Sequence, residues 1–200
     1  MNFAAISGSV STGSQDVIVS SSFEGLFSWA AAVNKPWISI SPFGGAGNSI
    51  IKISVNTSGL TNGDYNGEVS VSCASATNSP EKIQVNLNIK NSGELPFGSF
   101  DTPIHGSTVM SSVPVTGWVV DDIGVETLKI YRDPVSGEGG SQIYIGDAVF
   151  VEGARPDVES LYPDYPLNYQ AGWGYMLLTN FLPNQGNGTF KIHAIASDLD

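Results

Sequence analysis

Hydrophobic residues along this chain recur mainly at every second position. Ile83, Val85, Leu87 and Ile89 alternate with Gln84, Asn86 and Asn88. Successive side chains of an extended strand face opposite sides, so this run predicts a strand with one buried face and one wet face. The same period appears in residues 68–73, where Val69, Val71 and Cys73 are in phase, and in residues 51–55, where Ile51, Ile53 and Val55 are. Shorter runs at 3–6, 17–20, 26–29 and 37–40 bring the count to about seven strands, separated by Gly-Gly, Asn-Gly and Ser-Pro turn signals. That number and spacing predict an immunoglobulin-like sandwich, in which the apolar faces of two antiparallel sheets cover each other. Cys73, in phase with the valines, is expected in the core as a small hydrophobe. Tyr65 stands at the entry to the strand of Val69 and Val71, the position of a tyrosine corner whose hydroxyl bonds back to nearby backbone.

Alternation breaks at Asn91-Ser92-Gly93-Glu94-Leu95-Pro96 and resumes beyond it. The chain therefore reads as an all-β protein of two tandem immunoglobulin-like sandwiches. Residues 1–90 form the first, 91–96 the linker and 97–200 the second. In the second half, strands are expected at 113–120, 126–132, 142–151, 175–179 and 189–196. A long irregular stretch starts at Arg155-Pro156-Asp157-Val158 and runs past Tyr165-Pro166. Pro163 and Pro166 limit any helix there to about one turn, over residues 157–162. Loops of this length inside a compact domain are commonly functional or tightly packed.

Composition narrows the partners. Charged residues are only 14% of the 200, which excludes a coiled coil, while 41% hydrophobic residues support a folded core. The net charge of −11 is uneven: residues 1–95 hold four lysines against six acids, residues 96–200 four bases against thirteen acids. With no basic stripe to neutralise phosphates, nucleic acid is excluded as a partner. No apolar run approaches the length of a spanning helix, so membrane insertion is not expected. A single cysteine excludes disulfide frameworks and cysteine-rich zinc sites. Residues 1–6 lack the basic and apolar regions of a signal peptide and run almost directly into a strand, as in a fragment of a larger parent protein.

Several segments together resemble the BACON-type bacterial immunoglobulin-like domain. They are Trp29; Trp37-Ile38-Ser39-Ile40-Ser41-Pro42 with Gly44-Gly45; Ile51-Lys52-Ile53-Ser54-Val55-Asn56; Gly59-Leu60 with Gly63-Asp64-Tyr65-Asn66-Gly67; and Asn78-Ser79-Pro80 through Leu87. The resemblance covers roughly residues 1–90. It implies a sandwich of seven or eight strands, placed in secreted or surface proteins of bacteria and phages, beside carbohydrate-active or proteolytic domains, with glycans or mucin as proposed ligands. The second half resembles another bacterial immunoglobulin-like surface module, through Gly117-Trp118-Val119-Val120-Asp121-Asp122, Gly124-Val125, Arg155-Pro156-Asp157-Val158, Tyr162-Pro163, Ala171-Gly172-Trp173-Gly174-Tyr175 and Ala194-Ile195-Ala196-Ser197-Asp198. Such modules continue through a Gly-led turn into one more strand, which is expected to be missing here. Both resemblances imply an extracellular, cell-surface or virion-surface location.

Candidate chemistry is sparse, and no enzyme is expected. His105 and His193 are the only histidines, and no G-x-S-x-G elbow accompanies them. His193 lies out of phase with Ile192 and Ala194 and is expected on an exposed face. Asp121 and Asp122 end a strand, where such side chains bond turn backbone, and Arg155 is the expected ion-pair partner of one of them. No cofactor is required. Calcium is the alternative to the ion pair, with Asp121, Asp122, Asp198 and Asp200 as hard oxygen ligands at strand ends. The irregular stretch is rich in rings, and Tyr165, Tyr169 and Trp173 are the candidate platform for a glycan; the competing reading packs Trp173 and Tyr175 beneath the loop. These residues lead to a non-catalytic module of a larger secreted or surface protein, a spacer, adhesion or accessory-binding element, with a carbohydrate-binding module attached to an enzyme as the alternative. Glycans or other cell-surface components are the expected partners.

Overall fold

A computed structural model describes residues 1–9, 13–22 and 26–199. It divides into two compact units, Met1–Gly93 and Glu94–Leu199. In the first unit, β1 (Asn2–Ile6), β3 (Ser28–Val33), β5 (Gly44–Ala46), β7 (Gly63–Ser72) and β8 (Glu81–Lys90) form one sheet in the order β1-β8-β7-β3-β5. The other sheet, ordered β2-β6-β4, holds β2 (Gln15–Val19), β6 (Ser49–Val55) and β4 (Ile38–Ser41). All pairings are antiparallel except that of β1 with β8, where Phe3 sits opposite Leu87 in a parallel register.

The alternation read from the sequence becomes the core. Val69, Val85, Leu87 and Ile89 from one sheet meet Ile38, Ile40, Ile51, Ile53 and Val55 from the other, all nearly inaccessible to water. Trp29 and Trp37 are also buried there, whereas Val71 and Cys73 pack against the cluster only partly buried. Cys73 lies beyond the end of β7, its Sγ 3.2 Å from Ser75 Oγ, so it lines the margin of the core instead of its centre. Strand β5 carries no alternation because it is Gly-Gly-Ala. A Cβ at Gly44 would stand 2.8 Å from the Trp29 carbonyl oxygen, and one at Gly45 would touch the Trp29 indole. Only glycine lets this edge strand close over the tryptophan. The Tyr65 hydroxyl donates to Thr61 O at 2.8 Å and accepts from Thr61 N–H at 3.0 Å, which makes the expected tyrosine corner.

In the second unit, β9 (Phe97–Thr102), β10 (Ser112–Val120), β14 (Gly172–Leu178) and β13 (Val149–Phe150) form a sheet ordered β13-β14-β10-β9. Strands β12 (Ile143–Asp147), β11 (Val125–Arg132) and β15 (Ile192–Asp198) form the facing sheet, ordered β12-β11-β15. Val113, Val115, Val119, Leu128, Ile130, Trp173 and Leu177 fill the space between. The run at 142–151, read as one strand, is two. β12 pairs with β11, then the chain crosses at Ala148 and β13 pairs with β14 of the other sheet. Side-chain alternation cannot reveal such a crossing, since both halves keep a buried face. The restart at Phe97, not counted among the strands, forms edge strand β9. The helical turn is α1 (Pro156–Leu161), with Pro156 in its first turn, where the missing N–H costs nothing.

Candidate functional site

Strand β10 organises the polar and aromatic groups of the second sandwich. Its odd-numbered residues from Val113 to Val119 enter the core, while Trp118 and Val120 face the other way. There Val120, Val158 of α1 and Ala171 make a second, smaller apolar cluster, which holds the irregular stretch against the sheet. Around it Phe97 stands 5.3 Å from Tyr162, 5.8 Å from Tyr165 and 6.1 Å from Trp118, each pair edge-to-face. Tyr162 lies 5.7 Å from Trp118 and 5.5 Å from Tyr165. Such geometry sets the positive edge of one ring on the negative face of another and fixes the loop.

The candidate glycan platform does not assemble as expected. Trp173 is 4% exposed and points into the core, its ring 5.7 Å from Phe100. Tyr165 packs on the small cluster at the opposite face of the sheet, and Tyr169 is only partly exposed. The reason is strand phase: Trp173 and Tyr175 share the inward side of β14 with Leu177. The aromatic group at the surface consists of Phe97, Trp118, Tyr162 and Tyr165. Phe97 and Trp118 escaped the sequence reading because they belong to strands, not to the loop.

Arg155 also has other partners than expected. Its Nε and Nη2 donate to Asp157 Oδ1 and Oδ2 at 2.9 and 2.7 Å, its Nη1 donates to Asp101 Oδ2 at 2.7 Å, and the guanidinium lies 6.0 Å from the Trp118 ring centre. The fork on Asp157 holds that carboxyl down at about 2, well below the ordinary range. Asp157 lies two residues on, at the start of α1, and so wins the guanidinium by proximity. Asp121 and Asp122 are turned inward instead. Asp121 Oδ1 accepts from Ile123 N–H at 2.8 Å and Gly124 N–H at 2.9 Å, and Asp122 Oδ1 accepts from Glu94 N–H at 3.0 Å. Asp121 acts as the expected turn acceptor, whereas Asp122 holds the backbone of the segment before β9. The turn is buried throughout, and Asp121 Oδ2 has no hydrogen-bond partner. Burial pushes the Asp121 carboxyl upward against the pull of its two backbone donors, helped by the charges of Asp122 and Asp198. Among the described residues, no group of three or more acidic, histidine or cysteine side chains is gathered tightly enough to hold a metal. Asp200 lies outside the described residues.

The remaining charged groups clamp the facing sheet. Arg132, 7% exposed, forks onto Glu138 at 2.6 and 2.8 Å, and Glu138 Oε2 also accepts from Val135 N–H, so the β11–β12 loop is tied to the end of its strand. These donors hold the Glu138 carboxyl at about 2. His193, expected on an exposed face, is partly buried with Nε2 2.7 Å from Asp133 Oδ1. His105 is exposed in the loop after β9. Among the described residues no helix is long and apolar enough to cross a membrane.

Residues 2–94 match the viral BACON domain. No curated protein matches the chain. Among solved structures, a Bacteroides ovatus GH5 xyloglucanase in complex with a XXXG heptasaccharide aligns at 15% identity and a TM-score of 0.35, over 55% of this chain and 20% of that one. The chain thus spans only a small part of that enzyme's length. The periplasmic chaperone SfaE aligns at 10% identity and a TM-score of 0.33, over 73% of this chain and 80% of the other. A chimeric titin Z1Z2 aligns at 13% identity and a TM-score of 0.26, over 74% and 79%. The first sandwich, residues 2–94 and just under half of the chain, is thus similar to the viral BACON domain.

Proposed function

We propose that the protein is a non-catalytic, two-sandwich module of a larger secreted, cell-surface or virion-surface protein, acting as an adhesion or accessory-binding element. The observation that carries this reading is the outer side of strands β13, β14 and β10. In a half-chain with thirteen acids, the outward positions of β10, β13 and β14 hold no charge: Ser112, Pro114, Thr116, Val149, Met176 and Leu178. Val149, Met176 and Leu178 are 67%, 57% and 40% exposed. Such an uncharged strip across β13, β14 and β10, bordered by the Asp101–Arg155 pair at β9, is suited to meeting another surface. The use of Arg132, Arg155, Asp121 and Glu138 as clamps and turn acceptors supports a scaffold rather than a reaction centre.

A second reading, a carbohydrate-binding module serving an enzyme in the same parent chain, is favoured by the cluster of Phe97, Trp118, Tyr162 and Tyr165 beside the Arg155–Asp101 pair. Rings take the apolar face of a sugar, and the charged pair takes its hydroxyls. Binding of the purified chain to a glycan array and to immobilised cell envelopes separates the two. Adhesion through the sheet face is lost in Met176→Asp and kept in Phe97→Ala. Sugar binding is lost in Phe97→Ala and kept in Met176→Asp. Binding that survives both substitutions would overturn both readings.

A further inference from the structure

We propose that the outer face of the β12-β11-β15 sheet is a binding site for a neutral, extended oligosaccharide, with Tyr131 and Tyr144 as its stacking rings. The proposal rests on the reading of the chain as an accessory-binding element and is independent of the Phe97 cluster. Strand phase builds the face. Leu128 and Ile130 of β11, with Ala194 and Ala196 of β15, belong to the core, so Lys129, Tyr131, His193 and Ile195 point away from it. Tyr131 stands opposite Tyr144 on one side and His193 on the other, and the three form one row across the sheet. With strands about 4.8 Å apart, the row is about 10 Å long, enough for about two sugar rings.

A bulge in β12 sharpens the site. In a regular strand, residues three apart face opposite sides. Here Tyr131 is opposite Tyr144, Ile130 is opposite Gly146, and Ile145 is the extra residue between them. Ile145 packs on the core, and a Cβ at Gly146 would run into the Tyr175 ring, so both turn inward. Tyr144 and Asp147 therefore become neighbours on the outer face, with Asp147 opposite Lys129.

The chemistry of this face suits a polyol. Tyr144 is 50% exposed, and its ring centre lies 5.6 Å from that of Tyr131 with the planes at 68°. The pair makes a corner, a ring face with a second ring as side wall. The C–H bonds of a pyranose carry partial positive charge and settle on the negative face of an aromatic ring. Groups for the sugar hydroxyls flank the rings. His193 Nε2 lies 2.7 Å from Asp133 Oδ1, and beyond Lys129 the hydroxyls of Thr127 and Ser197 are 2.7 Å apart. Charge selects a neutral ligand. Of the four bases in residues 96–200, Arg132 and Arg155 are clamped elsewhere, and both lysines are on this face. Lys191, exposed and in phase with His193, takes the Asp133 N–H on its carbonyl. Two lysines against Asp133 and Asp147 leave the face balanced within an acidic domain, whose remaining charge repels an anionic chain. An open sheet face also lets an extended chain lie across the strands without bending.

Cellohexaose, xylohexaose and mannohexaose are titrated separately into the isotope-labelled full chain, and amide shifts are followed by NMR. At least one is expected to give saturable shifts confined to residues 127–133, 143–147 and 191–197. Tyr144→Thr removes the ring but suits an exposed strand position, and it weakens binding by about tenfold or more. Tyr144→Phe, which keeps the ring, binds within about threefold of the unchanged chain. Phe97→Ala and Met176→Asp leave the affinity as it was. Absence of shifts with all three sugars at about 10 mM overturns the proposal. So does a folded Tyr144→Thr that binds like the unchanged chain, or tighter binding of a polygalacturonate hexamer. If Tyr144→Thr fails to fold, the shift map of the unchanged chain decides alone. Shifts centred on Phe97 and Trp118 overturn the proposal and give sugar binding to that cluster. Retention on cell envelopes that is lost in Met176→Asp, with no sugar bound, overturns it too and leaves the adhesion reading standing.

Discussion

Removing one oxygen atom tests whether the first sandwich is organised as described. Tyr65→Phe keeps the ring, its burial and its edge contact with Trp37 at 6.4 Å. It deletes both bonds to Thr61, the donated one at 2.8 Å and the accepted one at 3.0 Å. A net hydrogen bond contributes about 0.5–1.5 kcal/mol, so two give about 1–3 kcal/mol. Both bonds lie at the surface, where the released Thr61 groups can turn to water, which places the loss in the lower half, at about 1–2 kcal/mol. With a urea slope of about 1.5 kcal/mol per molar, the midpoint falls by about 1 M. Urea unfolding followed by two-dimensional amide NMR separates signals of residues 1–93 from those of 94–199. The drop is expected in the first set alone. A midpoint unchanged within error, or an equal drop in both sets, would refute the corner as a local fastener of the first sandwich.

Other substitutions probe the remaining links. Val85→Asp puts an unpaired charge at a position that is 0% exposed and is expected to cost about 3 kcal/mol or more; wild-type melting of residues 1–93 contradicts the core assignment. Gly117→Ala drives a Cβ into the backbone of Ser99 and the Trp173 ring, so circular dichroism melting should show loss of stability of the second sandwich, and an unchanged curve contradicts the close approach of β9 to β10. Glu138, held at about 2 by Arg132, has a depressed pKa in the fold. Its contribution is therefore complete above its ordinary range near 4.5 and is lost as pH falls towards 2. NMR titration of the Glu138 carboxyl should find this low value, and Arg132→Gln should return it to the ordinary range; a Glu138 that titrates identically in both proteins contradicts the clamp.

How much of this was legible in the sequence depended on the kind of signal. Ile83–Ile89, Ile51–Val55 and Val113–Val119 announce their strands because burial of one face imposes a period of two. The corner at Tyr65 was legible because it is local, four residues from Thr61. β5 was not, since Gly44 and Gly45 have no side chains to alternate and are there to lie against Trp29. The crossing at Ala148 was hidden because each half keeps its own buried face. Among the candidate site residues, Trp173 could be assigned inward from its phase with Tyr175. The pairing of Arg155 with Asp101 spans 54 residues and is set by how β9 meets the loop, which no local pattern encodes. Asp121 was legible as a turn acceptor, but its depth of burial follows from packing on every side of the β10–β11 turn.

The proposed function rests on surfaces of the second sandwich that bind what they meet without turning it over. Incubation of the purified chain with a panel of plant, bacterial and mucin polysaccharides and with casein, followed by mass spectrometry of the soluble fraction, tests it most directly. The account predicts that no sugar or peptide is released beyond the buffer control, even from materials that retain the protein. Release of defined oligosaccharides or peptides, abolished by substitution of Asp121, Asp122, Glu138 or His193, would contradict it.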